Sequence, residues 1–317
     1  VTRRSRRSVL IAEIASLTLA MTGSLIERVS PGAAIPCGVI VPRTPSDPAA
    51  VAAHYDRLDA FYRELWGEHV HHGLWTTGRE TPEAAAEALA ARVVEAVGEA
   101  REVVDVGCGY GATSRRIAEA TGAAVTALTL SEAQAAYARR QPVARGSVRV
   151  LVQDWLQNDL PKASADAVVA VESTTHMPER ERVFREMARV LRPGGRLVLC
   201  VWATSEQPRA WEIRHLLEPI CREGRLAGMG SLQENRAWLA SAGLAAETDE
   251  DWSREVARTW TVVARRVVAR LATDRATRQF VRDASEADRV FALTVARLRL
   301  AFATGAMRYG FLVARKP

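Results

Sequence analysis

Three glycines at alternate positions, Gly107, Gly109 and Gly111, stand directly behind the apolar run Val103-Val104-Asp105-Val106. A helix-forming stretch from Ala112 to Ala120 follows them. No other feature of the chain restricts its fold as strongly. Glycine lets the backbone turn sharply and approach a ligand with no Cβ in between. The spacing G-x-G-x-G differs from the G-x-G-x-x-G of dinucleotide-binding turns, and no lysine follows as in a phosphate loop. The segment reads as a strand that ends in a ligand-binding turn at the start of a helix.

The rest of the chain repeats this rhythm. Strands are expected at 102–106, 123–128, 148–152, 167–171, 196–202 and 308–313, and helices at 49–65, 82–97, 112–120, 132–140 and 179–191. Thr81 is placed to cap the second helix, with Pro82 at its first position. Alternation of this kind implies the α/β class, a mostly parallel sheet with helices on both faces. Residues 205–242 and 252–304 read as helical insertions, which in such sheets cap the ligand crevice at the strand ends. Five prolines between positions 31 and 48 mark a linker. Residues 1–48 are therefore expected to be a poorly structured extension and 49–317 the folded domain.

Charge separates the function classes. The formal net charge is +6, and residues 1–44 hold +4 of it. The remainder is nearly neutral, whereas a nucleic-acid enzyme spreads basic charge over its folded surface. Cys37, Cys108, Cys200 and Cys221 form no C-x-x-C pair, so neither a zinc site nor a disulfide framework is expected. Ser5-Arg6-Arg7-Ser8 before the apolar run Val9–Met21 looks like an export signal, but Glu13 interrupts the run and no clean cleavage site follows. The run is too short to span a membrane. The expectation is a cytoplasmic monomer or homodimer acting on a small molecule, without nucleic acid or stable membrane insertion.

Further motifs follow the strands. Thr129-Leu130-Ser131-Glu132-Ala133-Gln134 comes after the second, Gln153-Asp154-Trp155 after the third, and Glu172-Ser173-Thr174-Thr175-His176-Met177-Pro178 after the fourth. The form Asp105-x-Gly107-x-Gly109-x-Gly111 resembles motif I of the class I S-adenosylmethionine-dependent methyltransferases. Glu172 to Trp202, with Arg192-Pro193-Gly194-Gly195 inside it, is similar to the tocopherol C-methyltransferase subfamily. So are Tyr55-Asp56, Trp66-Gly67-Glu68-His69-Val70-His71-His72-Gly73, Asp251-Trp252-Ser253, Trp260, and Met307 to Pro317. The resemblance covers about residues 50–317. It departs at Thr174-Thr175, where that subfamily often has Gly-Glu, and this puts its acid–base arrangement and its substrate in question.

The resemblance implies a Rossmann-like fold with a seven-stranded, mostly parallel sheet, and S-adenosyl-L-methionine as cofactor. The implied cofactor residues are Asp105, Gly107, Cys108, Gly109 and Gly111 for the methionine part, and Thr129, Leu130 and Gln134 for the ribose. Asp154 and Trp155 would serve the adenine, and His72 would belong to a lid. A carboxylate suits an exocyclic amine and an indole suits a π-face. Glu172 and His176 are the expected catalytic pair, since they stand where acceptor and methyl should meet. The acceptor is expected to be a small, largely apolar molecule such as a phenol, prenylated aromatic, terpenoid or alkaloid, methylated on C, N or O. Two other readings are an allylic C-methyltransferase with Glu172 quenching a cation, and a non-catalytic cofactor-binding scaffold. His69, His71 and His72 could suggest a metal, but no fourth ligand at suitable spacing accompanies them, and none is expected.

Overall fold

In a computed structural model of the protein, the described residues are 38–44, 46–273 and 286–317. Most of the expected extension, 1–37 and Pro45, lies outside them, as does 274–285 of the second helical insertion.

The strands are β1 (Glu102–Val106), β2 (Ala124–Thr129), β3 (Ser147–Val152), β4 (Ala165–Val171), β5 (Leu191–Thr204), β6 (Ala245–Asp251) and β7 (Met307–Arg315). They form one sheet in the order β3-β2-β1-β4-β5-β7-β6, parallel except for β7, which runs antiparallel to β5 and β6. Neighbouring residues of a strand point to opposite faces. Val103 accordingly packs with Leu89, Val93 and Ile117, and Val104 joins the cluster holding Phe184 and Met187. Burial on both faces is why these strands read as continuous apolar runs. β6 is not among the expected strands because Ala-Ala-Glu-Thr-Asp-Glu-Asp is mostly exposed and charged. It lies at the sheet edge, where charge discourages pairing with other chains.

The helices around the sheet are α3 (Pro82–Val97), α4 (Ala112–Thr121), α5 (Glu132–Ala138), α6 (Arg180–Val190) and α9 (Leu232–Ser241). Thr81 Oγ1 accepts from Ala84 N at 3.1 Å, with Pro82 opening the helix, as expected. The helix expected at 49–65 is two, α1 (Pro48–Arg57) and α2 (Asp59–Trp66), broken at Leu58. The first insertion holds α7 (Ala210–Glu212), a π-helical turn Ile213–Leu217 and α8 (Glu218–Glu223) before α9; the second holds α10 (Ser253–Thr273) and α11 (Glu286–Thr304). Among the described residues no helix is long and apolar enough to cross a membrane.

The fold takes up the chain earlier than the expected boundary at 49. Ile40 is buried and pairs with Met229 in an antiparallel bridge, with hydrogen bonds of 2.8 and 2.9 Å. Asp47 then caps α1 by accepting from Ala50 N at 2.6 Å. An isolated apolar pair between proline-rich segments gives no periodic signal, so nothing in the sequence distinguishes it from the linker.

Candidate active site

The order β3-β2-β1-β4 brings four strand ends to one edge, where β1 and β4 diverge into opposite directions of winding. Such switch points are where open α/β sheets bind ligands. A cavity with an empty volume of about 840 Å3 opens there. Gly107 and Gly109 line it after β1, Thr129, Leu130 and Gln134 after β2, Asp154 and Trp155 after β3, and Glu172 and His176 after β4. A recess of about 350 Å3 shares Gly107 and Gly109 and is lined by Asp105, Cys108 and Thr113. Gly111 lines neither cavity and serves as the left-handed cap of α4.

The glycines have different reasons. Gly107 has φ +83°, and a Cβ there would meet Ser173 Cβ at 2.3 Å. Its lack of a side chain lets the loop after β4 close on β1, where the Ser173 hydroxyl donates to the Val106 carbonyl. Gly109 has φ +54°, and a Cβ would meet nothing within 4 Å. The space over Gly109 is thus open, whereas Gly107 also makes room for Ser173, a difference the motif alone does not reveal.

The residues along this edge fit S-adenosylmethionine. Thr129 Oγ1 donates to Gln134 Oε1 at 2.9 Å, which leaves the Gln134 NH2 group for ribose oxygens. Asp154 Oδ1 accepts from Leu156 N at 3.0 Å and caps the turn Trp155–Gln157, so the carboxylate is held at the cavity wall. The Trp155 indole is buried with Nε1 donating to Val183 O at 3.2 Å. Burial pushes the Asp105 carboxyl up to about 6 against the opposing Ser114 hydroxyl, which donates at 2.5 Å. Burial also raises the Cys108 thiol well above its usual range, so it is no thiolate.

A second cavity, about 680 Å3, meets the first along Tyr55, Val70, Glu172 and His176. Its walls include Tyr62, Trp66, Trp202, Trp260, Ile220 and Leu298, and among the described lining residues there is no Arg or Lys. His72, expected with the cofactor residues, lines this cavity rather than the first. Its side chain is 1% exposed. Nδ1 lies 3.0 Å from Glu172 Oε2, and Nε2 accepts from Trp260 Nε1 at 2.7 Å.

Glu172 has φ +56°, a left-handed conformation that costs a non-glycine residue roughly 1–2 kcal/mol. Its carboxylate receives four donors. Oε1 accepts from His72 N and Tyr309 OH, both at 2.7 Å. Oε2 accepts from His72 Nδ1 at 3.0 Å and Trp202 Nε1 at 2.8 Å. Burial alone would raise this carboxyl, but the facing His72 and His71 rings and the hydrogen bonds outweigh it and hold it at about 2. With two donors already on each oxygen, the carboxylate has little lone-pair capacity left for a proton from a ligand.

His176 is arranged differently. Nδ1 lies 3.1 Å from Arg225 O, a carbonyl that only accepts, so Nδ1 carries the proton. Nε2 is left as the acceptor, and Tyr55 OH donates to it at 3.1 Å. Burial pushes His176 down to about 4, so the ring is neutral near pH 7. His71 donates from Nδ1 to His72 O at 2.7 Å, and its Nε2 lies 3.0 Å from His69 Nδ1. His69 Nε2 lies 3.0 Å from Glu87 Oε1, so each of the three histidines has a protein partner, and His69 and His71 partner each other. Tyr55, Trp202, Trp260 and Tyr309 stand in segments that the resemblance covers, but nothing in their spacing reveals these contacts.

The sequence model of a family described as methyltransferase domain matches residues 104–199. The chain is 34% identical over 284 residues to 27-O-demethylrifamycin SV methyltransferase of Amycolatopsis mediterranei (strain S699), covering 86% of this chain and 99% of that protein. It is 28% identical over 290 residues to chloroplastic tocopherol O-methyltransferase of Arabidopsis thaliana, covering 84% and 82%. The crystal structure of mycolic acid cyclopropane synthase CmaA1 complexed with SAH and CTAB matches with a TM-score of 0.75 at 21% identity, covering 86% of this chain and 99% of that one. With an identity that runs nearly the full length of the rifamycin enzyme, the chain belongs to the class I small-molecule methyltransferases, which take their methyl group from S-adenosylmethionine.

Proposed function

We propose that the protein methylates a hydroxyl oxygen of an uncharged, largely apolar molecule seated in the second cavity, with His176 receiving the hydroxyl proton. The observation that carries this is the shared wall. The aromatic cavity and the cavity over the glycine turn meet at Tyr55 and His176, whose ring lone pair on Nε2 lies at the junction.

When bound, the cofactor supplies a methyl group on a positively charged sulfur. The aromatic walls exclude water and align the acceptor, the main requirements of an in-line displacement. An acceptor hydroxyl that takes the place of Tyr55 on His176 Nε2 gives up its proton there as its oxygen gains the methyl. The positive charge lost from sulfur reappears on the imidazole, where burial and Arg180 oppose it and the Arg225 carbonyl and Glu172 carboxylate favour it. Glu172 itself orients His72 and the indoles of the cavity wall. Both relatives, 27-O-demethylrifamycin SV methyltransferase and tocopherol O-methyltransferase, are named for transfer to oxygen, which supports an oxygen acceptor. Cation quenching by Glu172 is disfavoured because both carboxylate oxygens already accept two donors.

The test is incubation with methyl-deuterated S-adenosylmethionine and a panel of phenols, hydroxylated terpenoids, macrolide alcohols, amines and carboxylic acids, read by mass spectrometry. Labelled ethers from neutral alcohols or phenols are expected. Label only in amines, acids or carbon positions contradicts the proposal, and cofactor binding without any labelled product favours the scaffold reading.

A further inference from the structure

Nearly all the polar side chains of the second cavity are already committed to the protein. Tyr62 OH pairs with His54 Nε2 at 3.1 Å, and Trp202 and Trp260 donate to Glu172 and His72. Thr259 Oγ1 accepts from Gly73 N at 3.1 Å and Trp75 Nε1 at 3.0 Å, and Thr294 donates to Glu223 at 2.5 Å. Thr175 is the exception. It is 3% exposed and lines this cavity, and its Oγ1 has no hydrogen-bond partner among the described residues.

A hydroxyl without a partner inside an apolar wall is unfavourable, and buried polar groups in folded proteins are nearly always paired. The backbone that carries it is held in place. Thr175 O accepts from Ala227 N and from Arg180 Nη2, each at 2.9 Å. Arg180 also donates to Gly228 O at 2.5 Å, tying the turn Thr174–His176 to the loop before α9. The residue is thereby held next in sequence to His176, on the same cavity wall, with only χ1 left to present its buried hydroxyl to a ligand.

We infer that Thr175 is a specificity-determining residue whose hydroxyl binds a second polar group of the acceptor, a hydroxyl or carbonyl distinct from the oxygen that is methylated. This rests on the proposed function in taking the second cavity as the acceptor site. The substrate class narrows to neutral, mainly apolar molecules bearing at least two oxygen functions, one at His176 and one at Thr175. A molecule lacking the second oxygen leaves the Thr175 hydroxyl buried and unpaired in the complex, and sites of that kind discriminate more strongly than apolar pockets do.

The experiment measures binding by isothermal titration calorimetry, so it does not depend on methyl transfer. The probes are 2-naphthol and 2,3-, 2,6- and 2,7-dihydroxynaphthalene, titrated into the full chain and into Thr175→Val and Thr175→Ser. At least one diol should bind the unaltered protein about tenfold more tightly than 2-naphthol, the effect of roughly one hydrogen bond to a buried group. Thr175→Val keeps the shape and removes the hydroxyl, so it should abolish the advantage of the diol and leave 2-naphthol bound as well or better. Thr175→Ser should retain it. Equal affinities for mono-ol and diols in the unaltered protein, binding of none of the probes, or a diol advantage that survives in Thr175→Val would each overturn the inference. A diol preference lost in Thr175→Val, without labelled ether from any acceptor, would leave the Thr175 site standing and the proposed reaction refuted.

Discussion

Replacing Glu172 by Gln changes one oxygen into an NH2 group while preserving size, and the surrounding donors decide the cost. If the NH2 replaces Oε2, it faces Trp202 Nε1 and His72 Nδ1, both donors. His72 cannot adapt by changing tautomer, because its Nε2 already accepts from Trp260 Nε1. If the NH2 replaces Oε1, the Tyr309 hydroxyl can rotate to accept, but the His72 backbone N–H loses its partner. The second arrangement loses less, and it still leaves one buried donor unpaired and removes a charge-assisted bond. Each such loss costs about 1–3 kcal/mol, so destabilisation of roughly 2–6 kcal/mol is expected, or a fall in Tm of about 4–18 °C for a domain of this size. Thermal and urea unfolding measure it, alongside turnover on the best acceptor of the panel. Turnover should fall with stability, and the acid limb of the pH–rate profile should persist, since it belongs to His176. A Glu172→Gln protein that melts within about 2 °C of the unaltered chain, yet turns over about 100-fold more slowly without that limb, would refute the reasoning and restore Glu172 as the base.

Three other outcomes can be checked directly. His176→Asn should lower turnover by about 10²–10⁴-fold, the usual loss of a general base, with S-adenosylhomocysteine affinity changed less than threefold; a matching loss of affinity would place His176 in cofactor binding instead. A chain that begins at Ala49 loses the buried Ile40 and the Asp47 cap, and should be less stable by about 3 kcal/mol; identical urea midpoints would show that the 38–48 segment contributes nothing. Stability should be greatest above pH 6.5 and fall as the pH drops toward 4. His71 and His176, held at about 4, stay neutral in that window while their unfolded counterparts take up protons. Asp105, raised to about 6, acts in the opposite sense over part of it. The net is about one proton, or roughly 1.4 kcal/mol per pH unit near pH 5; a flat profile there contradicts the buried neutral imidazoles.

Local pattern accounts for what the sequence made legible. The alternation in β1 to β4 and the cap of α3 depend on residues a few positions apart, and the strand ends carried Gly109, Thr129, Gln134, Asp154 and Glu172 to one edge by topology alone. The role of Glu172 was not legible, because its donors come from residues 30, 100 and 137 positions away. The same holds for Gly107, whose missing Cβ also makes room for Ser173. Thr175 could be seen only as a departure from a resembling family; that its hydroxyl is unpaired is a property of the folded cavity.

Methyl transfer as proposed needs two cavities with separate tenants that meet at Tyr55 and His176. Calorimetric titration of S-adenosylhomocysteine and of a dihydroxynaphthalene into Gly109→Val and Leu298→Trp tests this most directly, with circular dichroism confirming that each variant is folded. Gly109→Val places a side chain in the open space of the first cavity, and Leu298→Trp fills the second. A crossed result is predicted: Gly109→Val loses the nucleoside and keeps the naphthalene, and Leu298→Trp does the reverse. Loss of both ligands in each folded variant, or loss of the naphthalene alone in Gly109→Val, would contradict the division into two sites.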